Sequence, residues 1–490
     1  MVMDKGTLEN LIPSQYIYFD FPNPHHSRES TTISSTYGNF LRITVLDSPI
    51  IQTSDHPIQI AAMLVPIDRE DDWIFSTKSG NFQLLSNLQQ ISRLILVGNL
   101  PTGDLPVNYS RRPILDGDGE YLAEFEEALL PLLIAVSPKS YLKGLGENFE
   151  IPFAMYEDNL ICSVLVERCI GSCVGEMIVE DVEIENYVDG KLDLGRREFR
   201  RRLRFKKMPN LVQTEIRIVP NGVEVDSVNL RIGEMKFEPD TGCLVHPYLA
   251  PMVASLSLIA RNLDNKYVCS GSKLPKVLCV GIGGGALLTF LRTQFGFQVF
   301  GVENDEMVVN VAKRYFGLVE SEFLRVLVGD GINVIRSVAR RGVQAGFVAS
   351  ITNADLENDQ HSTTYIEDES KFDIIMVDLD SNDAMNGPGA PPLDFVQSSI
   401  LLDAKMALNS LGILVLNVIP LSKSFYEVLI CELRKIFSQL YEINVGNEEN
   451  YVIIATVSPV SFVHDEIETS IQEKLKMANL GYYIECIRKI

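Results

Sequence analysis

A chain of 490 residues is too long for one small binding module, because single cores stop growing near about 250 to 300 residues, so two to four domains are expected. Hydrophobic residues make up 46% and charged residues 22%, the balance of a folded globular protein, which excludes a disordered or low-complexity scaffold. With 65 acidic against 43 basic side chains the formal charge is −22, which argues against a general nucleic-acid binder and favours basic partners.

Residues 1 to about 30 carry Pro22, Pro24 and Ser27 among other turn formers and read as an irregular lead-in. Short apolar runs follow at Leu41 to Leu46, Ile58 to Val65 and Leu94 to Val97, with a helix expected around Gln83 to Ile91, which suggests a small α/β unit. From Glu120 to Val136 the residues Tyr121, Phe125, Leu129, Leu132 and Leu133 fall on one helical face. Residues 1–150 therefore form an α/β N-terminal region without visible chemistry.

Residues 151–245 change texture. Strands are expected at Leu160 to Val166, Glu176 to Val182, Arg201 to Phe205 and Val212 to Val219, with turns at Gly171, Pro209 and Asn221-Gly222, giving a small antiparallel β domain. The one dense basic run lies here: Arg196, Arg197, Arg200, Arg201, Arg202, Arg204, Lys206 and Lys207. A single-stranded nucleic-acid groove interleaves aromatics with such charges, and only Phe199 and Phe205 do so. A solvated strand face, neutralised by the protein's own acids, is the expectation.

Residues 246–490 read as α/β. A helix from Pro247 to about Leu263 carries Leu249, Met252, Val253, Leu256 and Ile259 at helical spacing, and a polar stretch, Asp264 to Pro275, separates it from the first strong strand. That strand, Lys276 to Val280, is apolar on both faces, as in the centre of a parallel sheet. It runs into Gly281-Ile282-Gly283-Gly284-Gly285-Ala286 and a helix from Leu287 to Gln294. Glycines at 281, 283 and 285 permit a tight turn and close approach of a ligand, and the helix aims its amide end at the same spot.

Three further strands end in acids. Phe297 to Val302 stops at Glu303, Leu324 to Val328 at Gly329-Asp330-Gly331, and Phe372 to Val377 at Asp378. In open α/β sheets ligands bind beyond the carboxyl ends of the strands, where an acid after strand two holds a ribose diol. The spacing G-x-G-x-G departs from the dinucleotide fingerprint, and acids at 303, 330 and 378 would repel a pyrophosphate. S-adenosyl-L-methionine, with a ribose, an adenine and a cationic sulfonium, suits that rim better than NAD does.

The stretches VLCVGIGGGALLTFL, GVENDEMVVNVAKRYFG, VLVGDG and FDIIMVDLDS resemble the spermidine-synthase-like domain of the elongation factor 1-alpha lysine and N-terminal methyltransferase family (methyltransferase-like protein 13). The segments Ile151-Pro152-Phe153, Met177 to Val182, Phe199 to Phe205, Val212 to Glu215 and Pro392 to Leu402 are similar to the same family, so the likeness spans roughly residues 60 to 460. It implies a class I S-adenosylmethionine-dependent methyltransferase domain of Rossmann-like α/β fold. It also implies that Gly281, Gly283, Gly285 and Gly331 line the cofactor, that Glu303 binds the ribose, that Asp330 binds the adenine amine and that Asp378 stands at the transfer site. Full-length members carry two such domains, with lysine activity in the first. No glycine-rich motif precedes Gly281 in this chain, so methylation of an N-terminal amine is the implied activity and a basic translation factor the implied partner.

Asp380 and Asp383 are further candidates for relaying a proton, with loop solvation as the plainer expectation. No Asn-Pro-Pro-Tyr or Asp-Pro-Pro-Tyr run follows the fourth strand, which disfavours base or glutamine-amide methylation. Spermidine synthase is the nearest enzymatic rival, but its Tyr-Gln gate is replaced here by Leu249 and Ala250; a non-catalytic acidic adaptor is the other alternative. Gln344 to Lys371 reads as an acidic surface insertion, and His246 as a capping or packing residue.

The eight cysteines show no CxxC pair, and Cys169 with Cys173 lacks partners for zinc, so no metal site and reduced thiols are expected. The longest apolar run, Ala128 to Val136, is broken by Pro131, and no leader pattern opens the chain, so neither secretion nor membrane insertion is expected and a cytoplasmic location is. Two closing strands at 441 to 445 and 451 to 457, joined by Asn447 to Asn450, should pair antiparallel after a fifth strand at 412 to 418, with a helix between each of the first five.

Overall fold

The computed structural model describes residues 8–25, 37–49, 58–88, 90–103, 108–112, 118–144, 151–185, 187–188, 191–192, 197–222, 231–269, 274–341, 371–380, 389–420, 422–446, 450–460 and 469–490. Asp383, the 447–449 turn and the acidic insertion, apart from Lys371, lie outside the described residues.

The first sheet joins Tyr16–Pro22 (β1), Phe40–Asp47 (β2), Ile60–Leu64 (β3), Arg93–Asn99 (β4) and Phe153–Ala154 (β6) in the order β1-β2-β4-β3-β6; Asn108–Ser110 (β5) belongs to the second sheet. The lead-in is thus not irregular throughout. The alternation in YIYFDFP lets β1 pair antiparallel with β2 from Tyr16↔Leu46 to Pro22↔Phe40. One face of the sheet packs Ile43, Val45, Ile95 and Val97 against Phe125, Leu129 and Leu133 of the helix Asp118–Ala135. The other packs Leu46, Met63, Leu94 and Leu96 against Phe82 and Leu85. Their helix spans Lys78–Asn87, earlier than periodicity placed it, because Thr77 accepts the Gly80 N–H and starts it there. Arg93, fully buried, pairs with Asp47 at 2.6 and 2.8 Å and donates to the carbonyls of Leu8 and Val136.

The second sheet is antiparallel, as expected: Phe237–Pro239 (β13), Val212–Pro220 (β12), Glu198–Phe205 (β11), Gly175–Ile184 (β8), Leu160–Gly171 (β7) and β5, in that order, with a small separate antiparallel pair of Tyr187–Val188 (β9) and Lys191–Leu192 (β10). The basic run is neutralised by internal acids, but it is not a solvated face. Arg201 and Arg204 are 8% and 5% exposed. Arg201 grips Asp181 at 2.6 and 2.8 Å, Arg200 and Arg202 share Glu215 at 2.5 and 2.6 Å, and Arg204 reaches Glu180 at 2.8 Å and Asp72 of the first module at 3.0 Å. A buried charge must be paired, and this run supplies the pairs that bind two modules. Despite burial, Arg204 and Arg69 hold Asp72 down to about 2.

The third sheet has eight strands: Lys276–Val280 (β14), Gln298–Glu303 (β15), Leu324–Val328 (β16), Phe372–Val377 (β17), Leu408–Val418 (β18), Gln439–Asn444 (β19), Tyr451–Thr456 (β20) and Arg488–Lys489 (β21). Their order is β16-β15-β14-β17-β18-β20-β19-β21. The first five run parallel, and β20 pairs antiparallel with both β18 and β19. This is a Rossmann-like sheet that closes on an antiparallel pair, the architecture the family resemblance implied, with one short edge strand added. Helices cover both faces: Leu249–Ala254, Ala260–Cys269 and Ser470–Met477 on one, Gly331–Arg341, Ser398–Ala407 and Lys423–Ile436 on the other. The helix at 260 consumes part of the expected polar stretch. Among the described residues no helix is long and apolar enough to cross a membrane.

The second module rests on the third sheet's second helix, Glu306–Tyr315: Val308, Val311 and Phe316 join Met177, Val179, Phe199 and Ile216 in one core. That packing carries the near end of β12 over the carboxyl tips of the parallel strands.

Candidate active site

Hydrogen bonds continue across the strand tips. Gly281 N–H donates to the Val302 carbonyl at 3.0 Å, Asp378 N–H to Val280 at 2.9 Å and Gly329 N–H to Glu303 at 2.8 Å. These bonds set the glycine turn, Glu303, Asp330 and Asp378 side by side along one crevice edge. Gly281, Gly283 and Gly285 have φ of +79°, +50° and +80°, a region that penalises any Cβ. A Cβ on Gly281 would overlap the Asp378 carbonyl oxygen, and one on Gly283 the Thr214 hydroxyl. The glycines are therefore required by the shape of the turn itself.

Glu303, half-buried, accepts Asn304 N–H at 2.9 Å and Asp305 N–H at 3.2 Å on Oε1 and Ile282 N–H at 3.3 Å on Oε2. These amides orient the carboxylate, while burial pushes its pKa up. Asp330 is exposed and caps the helix Gly331–Arg341, accepting from Ile332 and Asn333 at 2.8 and 3.2 Å. Gly331 lets that helix approach β14, since a Cβ would overlap a Val280 methyl. Both lie at the same sheet edge, and each has a structural duty that accounts for its residue type.

Asp378 has a donor on each oxygen: the Tyr248 hydroxyl to Oδ2 at 3.0 Å and Asn417 Nδ2 to Oδ1 at 2.9 Å. Asn417 in turn accepts from Asn450 at 2.8 Å. Asp380 hydrogen-bonds Gln213, and burial, with the Asp378 charge second, pushes it up to about 7. Burial raises Asp378 as well, but two neighbouring carboxyls do not readily both ionise, and the paired donors on Asp378 favour its anion and leave the retained proton to Asp380. Loop solvation, the plainer expectation for Asp380, is therefore set aside. His246 Nε2 bonds the Val212 carbonyl at 3.1 Å, its ring lies 4.8 Å from that of Tyr248, and its Nδ1 is a buried nitrogen without a hydrogen bond. Because a carbonyl only accepts, Nε2 carries the hydrogen.

Sequence reasoning missed Tyr248, Asn417, Gln213 and Thr214. It looked for a gate at Leu249 and Ala250, one residue past the tyrosine that reaches Asp378; Leu249 and Ala250 are buried in the core. Gln213 and Thr214 stand in a segment noted as a strand and for family likeness, and nothing in their spacing signals that β12 ends at the crevice.

No protein-family model matches the chain. The chain is 25% identical over 424 residues, 84% of its length, to a Xenopus laevis protein named eEF1A lysine and N-terminal methyltransferase. That alignment covers 52% of the relative, so the chain spans about half the length of the curated relatives it matches. A Vibrio vulnificus polyamine aminopropyltransferase is 26% identical over 188 residues, 38% of this chain and 52% of the relative. The crystal structure of human methyltransferase-like protein 13 in complex with SAH is 24% identical, covers 49% of this chain and 93% of that chain, and has a TM-score of 0.35. The family resemblance read from the motifs thus extends over most of the chain.

Proposed function

We propose that this chain is an S-adenosylmethionine-dependent protein methyltransferase whose transfer site lies in residues 246–490. Its acceptor is the N-terminal amine of elongation factor 1-alpha, with a lysine of the same protein as the second candidate, and its place is the cytoplasm. The observation that carries the reading is the row of strand-tip groups: a glycine turn, the oriented Glu303 carboxylate and the Asp378–Asp380 pair. The sequence likeness to eEF1A methyltransferases supports the choice of acceptor.

The residues fit the cofactor. The left-handed turn at Gly281, Gly283 and Gly285 has backbone where a side chain would intrude, and Glu303 offers carboxylate oxygens for two ribose hydroxyls. S-adenosylmethionine supplies, when bound, a methyl group on a cationic sulfur. Asp330 and Gly331 are assigned to the adenine end on the resemblance. Asp378, held as the anion by Tyr248 and Asn417, orients the acceptor amine. Asp380 would take the proton that nitrogen sheds once it has bonded the methyl carbon, the carbon–sulfur bond breaking and S-adenosylhomocysteine leaving as the neutral thioether. A group near pKa 7 is well matched to an α-amine of about 7.7 to 8.0 and poorly matched to a lysine of about 10.4, which ranks the N-terminal amine first.

Aminopropyl transfer is the second reading, because the acid pair would also hold a polyamine and one aminopropyltransferase is similar over part of the chain. Mass spectrometry of elongation factor 1-alpha after incubation with the protein and S-adenosylmethionine, with N-terminus and lysines examined separately, tests the first. A product from putrescine and decarboxylated S-adenosylmethionine, with no methylated protein, would establish the second. Cofactor binding without either product leaves the acidic adaptor.

A further inference from the structure

Three successive residues of the second module reach three separate parts of the site. The Val212 carbonyl accepts from His246, the Gln213 side chain bonds Asp380, and Thr214 Oγ1 accepts the Gly284 N–H at 2.7 Å. We infer that Thr214 is a positioning residue for the cofactor: from the β module it holds the glycine turn in the shape that the cofactor fits. The inference rests on reading that turn as the S-adenosylmethionine site.

The directions of its hydrogen bonds follow from the chemistry. A hydroxyl has one hydrogen and two lone pairs. The Thr214 hydrogen goes to the Gln213 carbonyl at 2.8 Å, and a lone pair receives Gly284 N–H. That amide lies just ahead of the helix Ala286–Phe290, among donors that no helical carbonyl satisfies. Without Thr214 it would be a buried donor with no partner. Glycine backbone has more alternative shapes than any other, so a turn holding four glycines within five residues needs an external anchor to stay in one. The contact is also close-packed: a Cβ on Gly283 would overlap Oγ1, and one on Gly284 would lie 2.6 Å from Cγ2.

A second anchor flanks the ribose acid. Asp305, two residues past Glu303 and 1% exposed, accepts Cys173 and Val174 N–H at 2.6 and 3.0 Å on Oδ2 while capping its own helix through Met307 N–H. Gly171 leaves room for it, since a Cβ there would overlap the carboxylate. The β module thus grips the crevice at the glycine turn and beside the ribose acid. A ligand whose competent site is populated only part of the time binds more weakly by that fraction. Linkage requires the reverse as well, so the cofactor tightens the module's hold.

Calorimetric titration of S-adenosylmethionine into the full chain tests this. Thr214→Val keeps the volume and loses the hydroxyl, and its dissociation constant should rise roughly tenfold; Thr214→Ser should recover most of that. Amide exchange on the wild type should slow at 173–174 and 212–214 on cofactor addition, as well as at the turn. Binding by Thr214→Val within twofold of wild type, even with a lowered melting temperature, overturns the inference, as does protection confined to the third sheet. Should Thr214→Val fail to fold, the exchange pattern decides alone. A wild type that binds no S-adenosylmethionine would instead sink the reading of the turn itself.

Discussion

The Tyr248 hydroxyl donates to Asp378 Oδ2 at 3.0 Å across 130 positions of chain. Burial first, and the Asp378 charge second, raise the phenol well above its ordinary value, so it stays a donor throughout the working pH range. Tyr248→Phe should lower kcat about tenfold and leave S-adenosylmethionine affinity within twofold. Single-turnover rates and a cofactor titration check this; equal loss in both would place Tyr248 in cofactor binding instead.

Asp380 gives the pH dependence its sign. With a folded value of about 7 against about 3.9 unfolded, the native state binds the extra proton between these values, so its contribution to stability falls as pH rises through that window. In the proton-accepting role proposed for it, it works deprotonated, so the rate should climb through about pH 7. Asp380→Asn should abolish that limb, slow transfer by about a hundredfold or more, and melt higher than wild type at pH 8 but not at pH 4. A pH–rate profile and melting curves at both pH values read these effects.

Glu303 and Gly283 should differ in kind. Glu303→Gln loses charge-assisted hydrogen bonds to the ligand, worth about 1.5 to 3 kcal/mol, and should weaken cofactor binding by the corresponding factor of ten to about a hundred with little change in fold. Gly283→Ala puts a Cβ against the Thr214 hydroxyl at φ +50°, so it should abolish binding at accessible concentrations. Isothermal titration of both, beside circular dichroism, separates lost contact from lost shape.

Arg204 joins two modules through Asp72 and Glu180, all three buried. Arg204→Met leaves both acids less compensated and should cost about 3 to 5 kcal/mol, read by denaturant unfolding at pH 7. Because Asp72 is held at about 2, its share of that stability is present above about pH 4 and is lost as pH falls towards 2.

Lys276–Val280 and Phe372–Val377 were legible because central strands buried on both faces demand mostly apolar runs, and Leu324–Val328, a half-buried edge strand, also begins and ends where its apolar residues placed it. The glycines after Val280 were legible because left-handed turns admit few residue types, and the acids because they directly follow the strand ends. Lys78–Asn87 and Tyr16–Pro22 were misread because a side-chain cap and a partner strand outweighed local propensity. The basic run was legible as neutralised, yet only packing made Arg201 and Arg204 interior.

By itself the sequence determined the parallel strands, the glycine turn and the presence of acids at the strand tips, since each follows from local geometry or a spacing within one strand and its loop. Only the tertiary structure brought Tyr248, Asn417, Gln213 and Thr214 to that edge, because those contacts join separate elements whose approach depends on how the β module packs on the helix Glu306–Tyr315. The same packing turned Asp380 from a loop acid into a group poised near 7, because burial and a neighbouring charge set a pKa and neither can be read from a residue's position in the chain.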